Sequence, residues 1–451
     1  MTDRFSEIEK PFRSQPSLEA RLKEYPELRA KIETLLSIIE NAGGDVEKAS
    51  QAEQRIIEEM RQMGHEVLHG WARRQQQKKE EENDAKPGIH RKEKTLYWFT
   101  RLGRIEIEEQ VFTRGRRGPE IRPFSESAEV QCRECSKALQ RAIVDFGADD
   151  PFAGASVKLK EHYGIDVPVS TIRALTEKHG EALWAKQKSG SAWPEHPGVP
   201  VLIAEMDGSM VPVVETAAPG AGEAPQDRRK TRQLSWKEAR LCLVQNPSSV
   251  TPIFGATMGS VEEAGERLWE CALAAGAGNQ TKIHGLGDAA PWIIDQVEER
   301  FGTLATYLID FSHRSDYLAA AAEVVAGKNQ DLWRKEKQDG LKANRWPEVV
   351  GSLQPFVEAA SVPDSEAPVR ACYRYLVNHS NYLDYQGARA AGLPIGSGAI
   401  ESAHRYVMQS RLKIAGAWWK VENLEKMLAL RVLRANGGWD DYWREVLDEA
   451  A

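Results

Sequence analysis

The stretch Val201-Leu-Ile-Ala-Glu-Met-Asp207-Gly-Ser-Met-Val-Pro-Val-Val214 constrains the fold more than any other. Val201 to Ala204 is an apolar run of the kind a buried strand shows, and Met210 to Val214 is strand-like too. Asp207-Gly208-Ser209 between them is a turn signal. The stretch therefore reads as a β-hairpin whose first strand delivers a carboxylate, Asp207, at its end. A hairpin of this kind needs further strands and a helical layer to bury its apolar face.

The 451 residues suffice for two or three domains, and 41% hydrophobic with 28% charged content places the chain among soluble globular proteins. No apolar run approaches a membrane span and the N-terminus has no apolar signal core, so a cytoplasmic location and no membrane partner are expected. Five cysteines without regular spacing make no disulfide framework. A net charge of -7 excludes a uniformly basic coat but permits a local basic surface.

Upstream of the hairpin the pattern is helical. Leu22, Tyr25, Leu28, Ile32, Leu35, Leu36 and Ile39 recur at helical spacing within Leu18 to Asn41, and Ala42-Gly43-Gly44 stops that helix. A second helix is expected from about Val46 to about Glu82, with a polar end from Arg73 onward that reads as a solvated helix end before a linker. Both helices are long enough to pair with another subunit. Thr95 to Phe99 and Arg104 to Phe112, joined near Leu102-Gly103, read as a small antiparallel β unit. Cys132-Arg133-Glu134-Cys135 lies in a helical pattern from Glu126 to Phe146; with no second Cys or His pair it is half of a zinc site at best. Ser156 to Tyr163 and Ser170 to His179, joined by Gly164 to Pro168, have the helix-turn-helix outline, which would present Thr171, Arg173, Thr176 and Glu177 to a DNA groove. An ordinary αα-corner fits the same outline.

Downstream, Glu215 to Gln226 is an Ala/Gly/Pro/Glu-rich insertion, followed by the basic run Arg228, Arg229, Lys230, Thr231, Arg232. Ala239 to Gln245 reads as a third strand, Val261 to Ala275 as a helix, Lys282 to Asp288 as a strand ending in an acid, Pro291 to Phe301 as a helix and Leu304 to Asp310 as a fifth strand. Three antiparallel strands followed by strand–helix–strand imply an α/β fold with a mixed sheet flanked by helices. His313 to Gly392 is helical throughout and reads as an insertion with its own small core. After it, Gly396 and Gly398 mark a turn with close backbone approach, and a helix carries Glu401, His404, Arg405 and Gln409.

Asp207, Asp288 and Glu401 each border an element at a Gly-rich point. Carboxylates converging from separate elements suit hard divalent cations, and two such ions about 3.5–4 Å apart clamp both oxygens of an in-line phosphoryl displacement. Asp207 in Asp-Gly-Ser, Asp288 in Gly-Asp-Ala-Ala-Pro-Trp and Glu401 in Gly-Ser-Gly-Ala-Ile-Glu-Ser resemble the DDE triad of bacterial insertion-sequence transposases, within the Mutator-like superfamily and its ISKra-type branch. Asp310-Phe-Ser-His313 resembles that group's extra Asp-x-x-His signature, and Arg411-Leu-Lys413 with Trp418-Trp419 resembles the tail after its Glu.

The resemblance covers roughly Val201 to Trp443. It implies an RNase H-like core, Mg²⁺ or Mn²⁺, and cleavage and strand transfer at the ends of an insertion sequence. It also implies DNA as partner in a nucleoid-associated bacterial setting, with at least a dimer on DNA. In that scheme Asp207 bridges both metals, while Asp288 and Glu401 hold one each. His313 orients DNA or an acid or donates a proton; a His packed at a helix start is the plainer alternative. Arg405, Arg411 and Lys413 contact phosphates, alongside Arg173, Thr171, Arg228, Arg229 and Lys230. The expected organisation is residues 1–85 helical and oligomerising, 86–190 β unit and DNA binding, 196–315 first part of the core, 316–392 insertion, and 393–451 the Glu-bearing and C-terminal helices. Two other classes fit parts of the pattern: a DNA-binding regulator or domesticated transposase without mobility, and a two-carboxylate glycosidase.

Overall fold

A computed structural model describes residues 17–40, 48–84, 89–114, 118–187, 192–216 and 232–448. Ala42-Gly43-Gly44, Arg228, Arg229, Lys230 and most of the Glu215-to-Gln226 insertion lie outside the described residues. The chain divides into two compact units. One takes in the described residues of Met1–Phe146, Gly154–Val169 and the end from Arg444; the other takes in Gly147–Ala153 and Ser170–Trp443.

In the first unit the helix expected from Leu18 is two helices, Leu18–Leu22 and Pro26–Ile39. Pro26 has no amide with which to continue the first helix, so it opens the second at its first turn. Pro26–Ile39 packs on the long helix Ala49–Asp84, where Lys31 Nζ reaches Glu59 Oε2 at 3.1 Å. Strands β1 (Ile89–Thr100) and β2 (Gly103–Arg114) form an antiparallel hairpin, extended by the short β3 (Glu120–Ile121). The hairpin turns at Gly103, whose φ of +113° is open to glycine and strained for other residues. Ala72, Leu96, Ile105, Ile107, Phe124 and Val130 form the core beneath. Cys132 and Cys135 do not sit in a helix, contrary to the helical pattern expected from Glu126 to Phe146. They lie in the turn before the helix Lys137–Asp149, where Arg133 adopts a φ of +66°, and both thiols are free.

The second unit is built on a five-stranded mixed sheet. Its strands are β4 (Val201–Thr216), β5 (Arg232–Gln245), β6 (Ile253–Thr257), β7 (Lys282–Gly287) and β8 (Ala305–Ile309), in the order β6-β5-β4-β7-β8. The β4, β5 and β6 pairings are antiparallel, and β7 and β8 run parallel to β4. The expected turn at Asp207-Gly208-Ser209 is absent: β4 passes straight through it, paired with β5 from Ile203↔Gln245 to Thr216↔Arg232. Gly208 serves a different need there, because a Cβ at that position would stand 2.2 Å from Glu238 Oε1. Val211, Pro212 and Val213 are all buried, so the strand continues past the glycine as a segment covered on both faces.

Alternation along β4 also divides the two layers. Leu202, Ala204 and Met206 join Cys242, Val244, Ile283 and Ile309 against the helices Val261–Ala274 and Pro291–Phe301. On the other face, Leu286 and Leu308 pack under the helices Phe311–Ala326, Gln330–Lys342, Trp346–Leu353 and Pro368–Asn378. The helical stretch after β8 therefore has no separate core; it shares one with the sheet. Two more helices, Val421–Ala435 and Trp439–Asp448, end the described chain. No helix among the described residues is long and apolar enough to cross a membrane.

Candidate active site

The strand registers set the geometry. Glu205 pairs with Leu286, and Gly287 pairs with Ile309. Two places beyond the first pair and one beyond the second, Asp207, Asp288 and Asp310 fall in one row across three neighbouring strands. Positions level with one another on paired strands project to the same face. Each acid has a local anchor. Asp207 Oδ1 accepts the Gly208 amide at 2.7 Å, and Asp288 Oδ1 accepts the Ala290 amide at 2.9 Å. Tyr307 Oη donates to the Asp288 carbonyl at 2.7 Å, in space that exists because Gly287 has no Cβ.

Asp310, 3% exposed, is the most enclosed of the row. Burial pushes its carboxyl up, but hydrogen bonds from the Ser397 hydroxyl and amide and from the His313 and Ser312 amides outweigh this and hold it below the usual range. The Ser397 hydroxyl donates to Oδ2 at 2.6 Å, and the His313 amide donates to Oδ1 at 2.8 Å, capping the Phe311–Ala326 helix.

Glu401 arrives on a short helix, Gly398–Ala403, in its first turn and exposed. The segment before it is tied to the sheet three times: His284 Nε2 meets the Pro394 carbonyl at 2.9 Å, the Phe311 amide donates to the Ile395 carbonyl at 2.8 Å, and Ser397 binds Asp310. The fourth tie is Glu205. It is 1% exposed, and its Oε2 accepts the Ile400 amide at 2.9 Å. Gly396 and Gly398 do not play the expected role: neither has a positive φ, and a Cβ on Gly398 would meet nothing within 4 Å.

One turn past Glu401 the helix loosens into a π-helical segment, His404–Gln409, a form that tends to mark functional positions. His404 is 4% exposed, and its Nε2 stands 3.0 Å from Asp207 Oδ2, at an angle too bent for a full hydrogen bond. Residues three apart on a helix are neighbours on one face. The contact therefore brings the Glu401 helix onto Asp207. Lys413 Nζ then donates to Ser209 Oγ at 2.7 Å, two residues along the same face of β4.

The remaining expected residues are scattered. His313 is exposed in the first turn of its helix, with its ring 6.4 Å from Tyr317. Arg405 is exposed on the π-helical segment. Arg411 is only 2% exposed, held between the Phe152 and Trp419 rings at 4.8 Å each, so it is no open surface cation. On the helix Val169–Ala185, Arg173 is exposed and Thr171 half-buried. Thr176 is fully buried, with its hydroxyl on the Ile172 carbonyl, and Glu177 accepts from Asn423 Nδ2 at 2.8 Å. Thr176 is thus packed inside, while Arg173 and Glu177 border an open groove.

The donors suit a hard cation in kind, since carboxylate oxygens are what Mg²⁺ and Mn²⁺ take. In arrangement they fall short: among the described residues no group of three or more His, Cys, Asp and Glu side chains stands close enough to hold a metal ion. Glu205 escaped sequence reasoning, although a carboxylate inside an apolar strand run is itself a signal, since a buried acid needs a partner. His404 and Ser397 carry no such mark.

Residues 273–447 match an uncharacterised protein family (UPF0236). The match takes in Asp288, Asp310, Ser397, Glu401 and His404, and leaves Glu205 and Asp207 outside it. No curated protein matches the chain.

Proposed function

We propose that this chain is a DNA transposase with an RNase H-like core, in which Asp207, Asp288 and Glu401 form the reaction centre for phosphodiester cleavage and strand transfer. The observation that supports it most is the 3.0 Å approach of His404 to Asp207, which sets the Glu401 helix against the strand that carries the first acid. The row of Asp207 and Asp288 on adjacent parallel strands, and the order of antiparallel strands first and parallel strands second, agree with the reading. Bound Mg²⁺ or Mn²⁺ would polarise the phosphate and the attacking oxygen. Asp207, Asp288 and Glu401 would be its ligands, which requires the three carboxylates to draw together. Of the chain's own groups, Glu205 and Asp310 fix the start of the Glu401 helix, and His404 orients the Asp207 carboxylate. Lys413 lies along the path a bound strand would take.

A second reading, a DNA-binding regulator without cleavage, draws on the ungathered acids. The discriminating experiment uses a supercoiled plasmid carrying the sequences that flank the protein's own gene. Mg²⁺-dependent nicking at those flanks is expected of the wild type and should vanish in D207N and E401Q, with DNA binding retained. Binding without nicking by the wild type would favour the regulator.

A further inference from the structure

Outside the acid row, an open groove of roughly 700 Å³ lies at the start of the Val421–Ala435 helix. Its charged lining is Arg173, Arg411, Lys420 and Lys426 against Glu177 and Glu422, a cationic excess on a chain of net charge -7. No side chain caps the helix, whose first residues Lys420, Glu422 and Asn423 line the groove.

The second observation is Arg411. Its Nε donates to the Gly147 carbonyl at 3.2 Å, but Nη2 has no hydrogen-bond partner although the residue is 2% exposed. A buried guanidinium with an unmatched donor is costly unless an acceptor completes it. Burial disfavours the charge most and the neighbouring Arg431 adds to this, while Asp150 and Asp149 offset part of it. The other cations have partners at the surface or half-buried: Lys426 on Glu181 at 2.6 Å, Lys420 on Glu422 at 3.3 Å, and Arg173 4.0 Å from the half-buried Glu177. Such pairs exchange cheaply for a stronger anion.

The groove also lies in line with the acid row. From Ile400 to Trp419 the chain follows β4 in one direction, meeting it at Glu205, Asp207, Ser209 and Val213. Val213 lies six residues beyond Asp207, about 20 Å at a strand's rise.

We propose that this groove binds a backbone phosphate of a DNA strand laid along β4, with Arg173, Lys420 and the Arg411 guanidinium as its cations. This rests on DNA being the substrate, as in the preceding subsection. It makes Arg173 and Arg411 one phosphate site, where the sequence placed them on separate elements.

The test is fluorescence anisotropy of a labelled 20-nucleotide single strand, in EDTA and over a salt series, so that no cleavage chemistry enters. The R173A/K420A pair should weaken binding about tenfold and lower the salt slope by about one unit. R334A/K335A, the same charge change on the helix Gln330–Lys342, should leave both unchanged. Wild-type affinity and slope in R173A/K420A would overturn the proposal. R411M should bind more weakly still; if it does not fold, the surface pair decides alone. A second arm measures thermal stabilisation by inorganic phosphate. If the wild type ignores DNA yet is stabilised by phosphate and R173A/K420A is not, the groove stands as an anion site and the DNA reading falls. If neither probe binds, the groove proposal falls.

Discussion

At the scale of single residues the most consequential group is Glu205. Burial is the main force on its carboxyl; the Ile400 amide opposes it, and the Asp310 and Glu401 charges add to it, so that the group is pushed up to about 7 from 4.5. Its pKa is raised on folding, so the stability it contributes is full below pH 4.5 and is lost as pH rises through 7. In metal-free protein, urea unfolding across that window should show the wild type losing up to about 3 kcal/mol relative to E205Q, which keeps an acceptor for Ile400 but does not titrate. Parallel pH profiles for the two proteins would place the cost elsewhere. Asp207 and Asp288 stood out because an acid beside glycine is visible in a sequence, and the strand registers set the two in one row. Glu205, Ser397 and His404 owe their places to pairing across distant parts of the chain, and no local spacing records that.

At the scale of elements, the sequence reading reached five strands by two errors that cancel. It split β4 at Asp207-Gly208-Ser209, where the glycine makes room for Glu238 and does not turn the chain. It also passed over β6, whose five residues follow Pro252 and include a glycine, too short a run for alternation to declare itself. The helices Val261–Ala274 and Pro291–Phe301 were legible almost to the residue, because apolar spacing and, in the second, a leading proline mark them. Packing can also override propensity. Gly180, inside the helix Val169–Ala185, would gain about 1 kcal/mol on replacement by alanine from helix propensity alone. A Cβ there would stand 2.5 Å from the Lys426 carbonyl oxygen, and overpacking against backbone costs about 1–3 kcal/mol. G180A is thus expected to lower the melting temperature, and a rise would mean that the Val421–Ala435 helix can move aside.

At the scale of the whole molecule, the proposed function would pair two DNA ends and so call for at least two copies. The helix Ala49–Asp84 offers a seam for this. Ile56, Met60 and Val67 are 40%, 48% and 52% exposed, at the 4- and 3-residue steps of a heptad with Met63 between them. Sedimentation should show a dimer that I56E/M60E/V67E reduces to a monomer; a wild-type monomer with and without DNA would contradict this.

The bond between Ile400 and Glu205 joins positions 195 residues apart. On a ribosome moving at roughly 5–20 residues per second, the amide arrives on the order of 10–40 s after the carboxylate it binds. Through that interval the nascent chain holds Asp207 without the helix that carries Glu401. A product cut short before residue 400 would never obtain it. The order of the parts along the chain thus delays the joining of β4 to the Glu401 helix until residue 400 has been made.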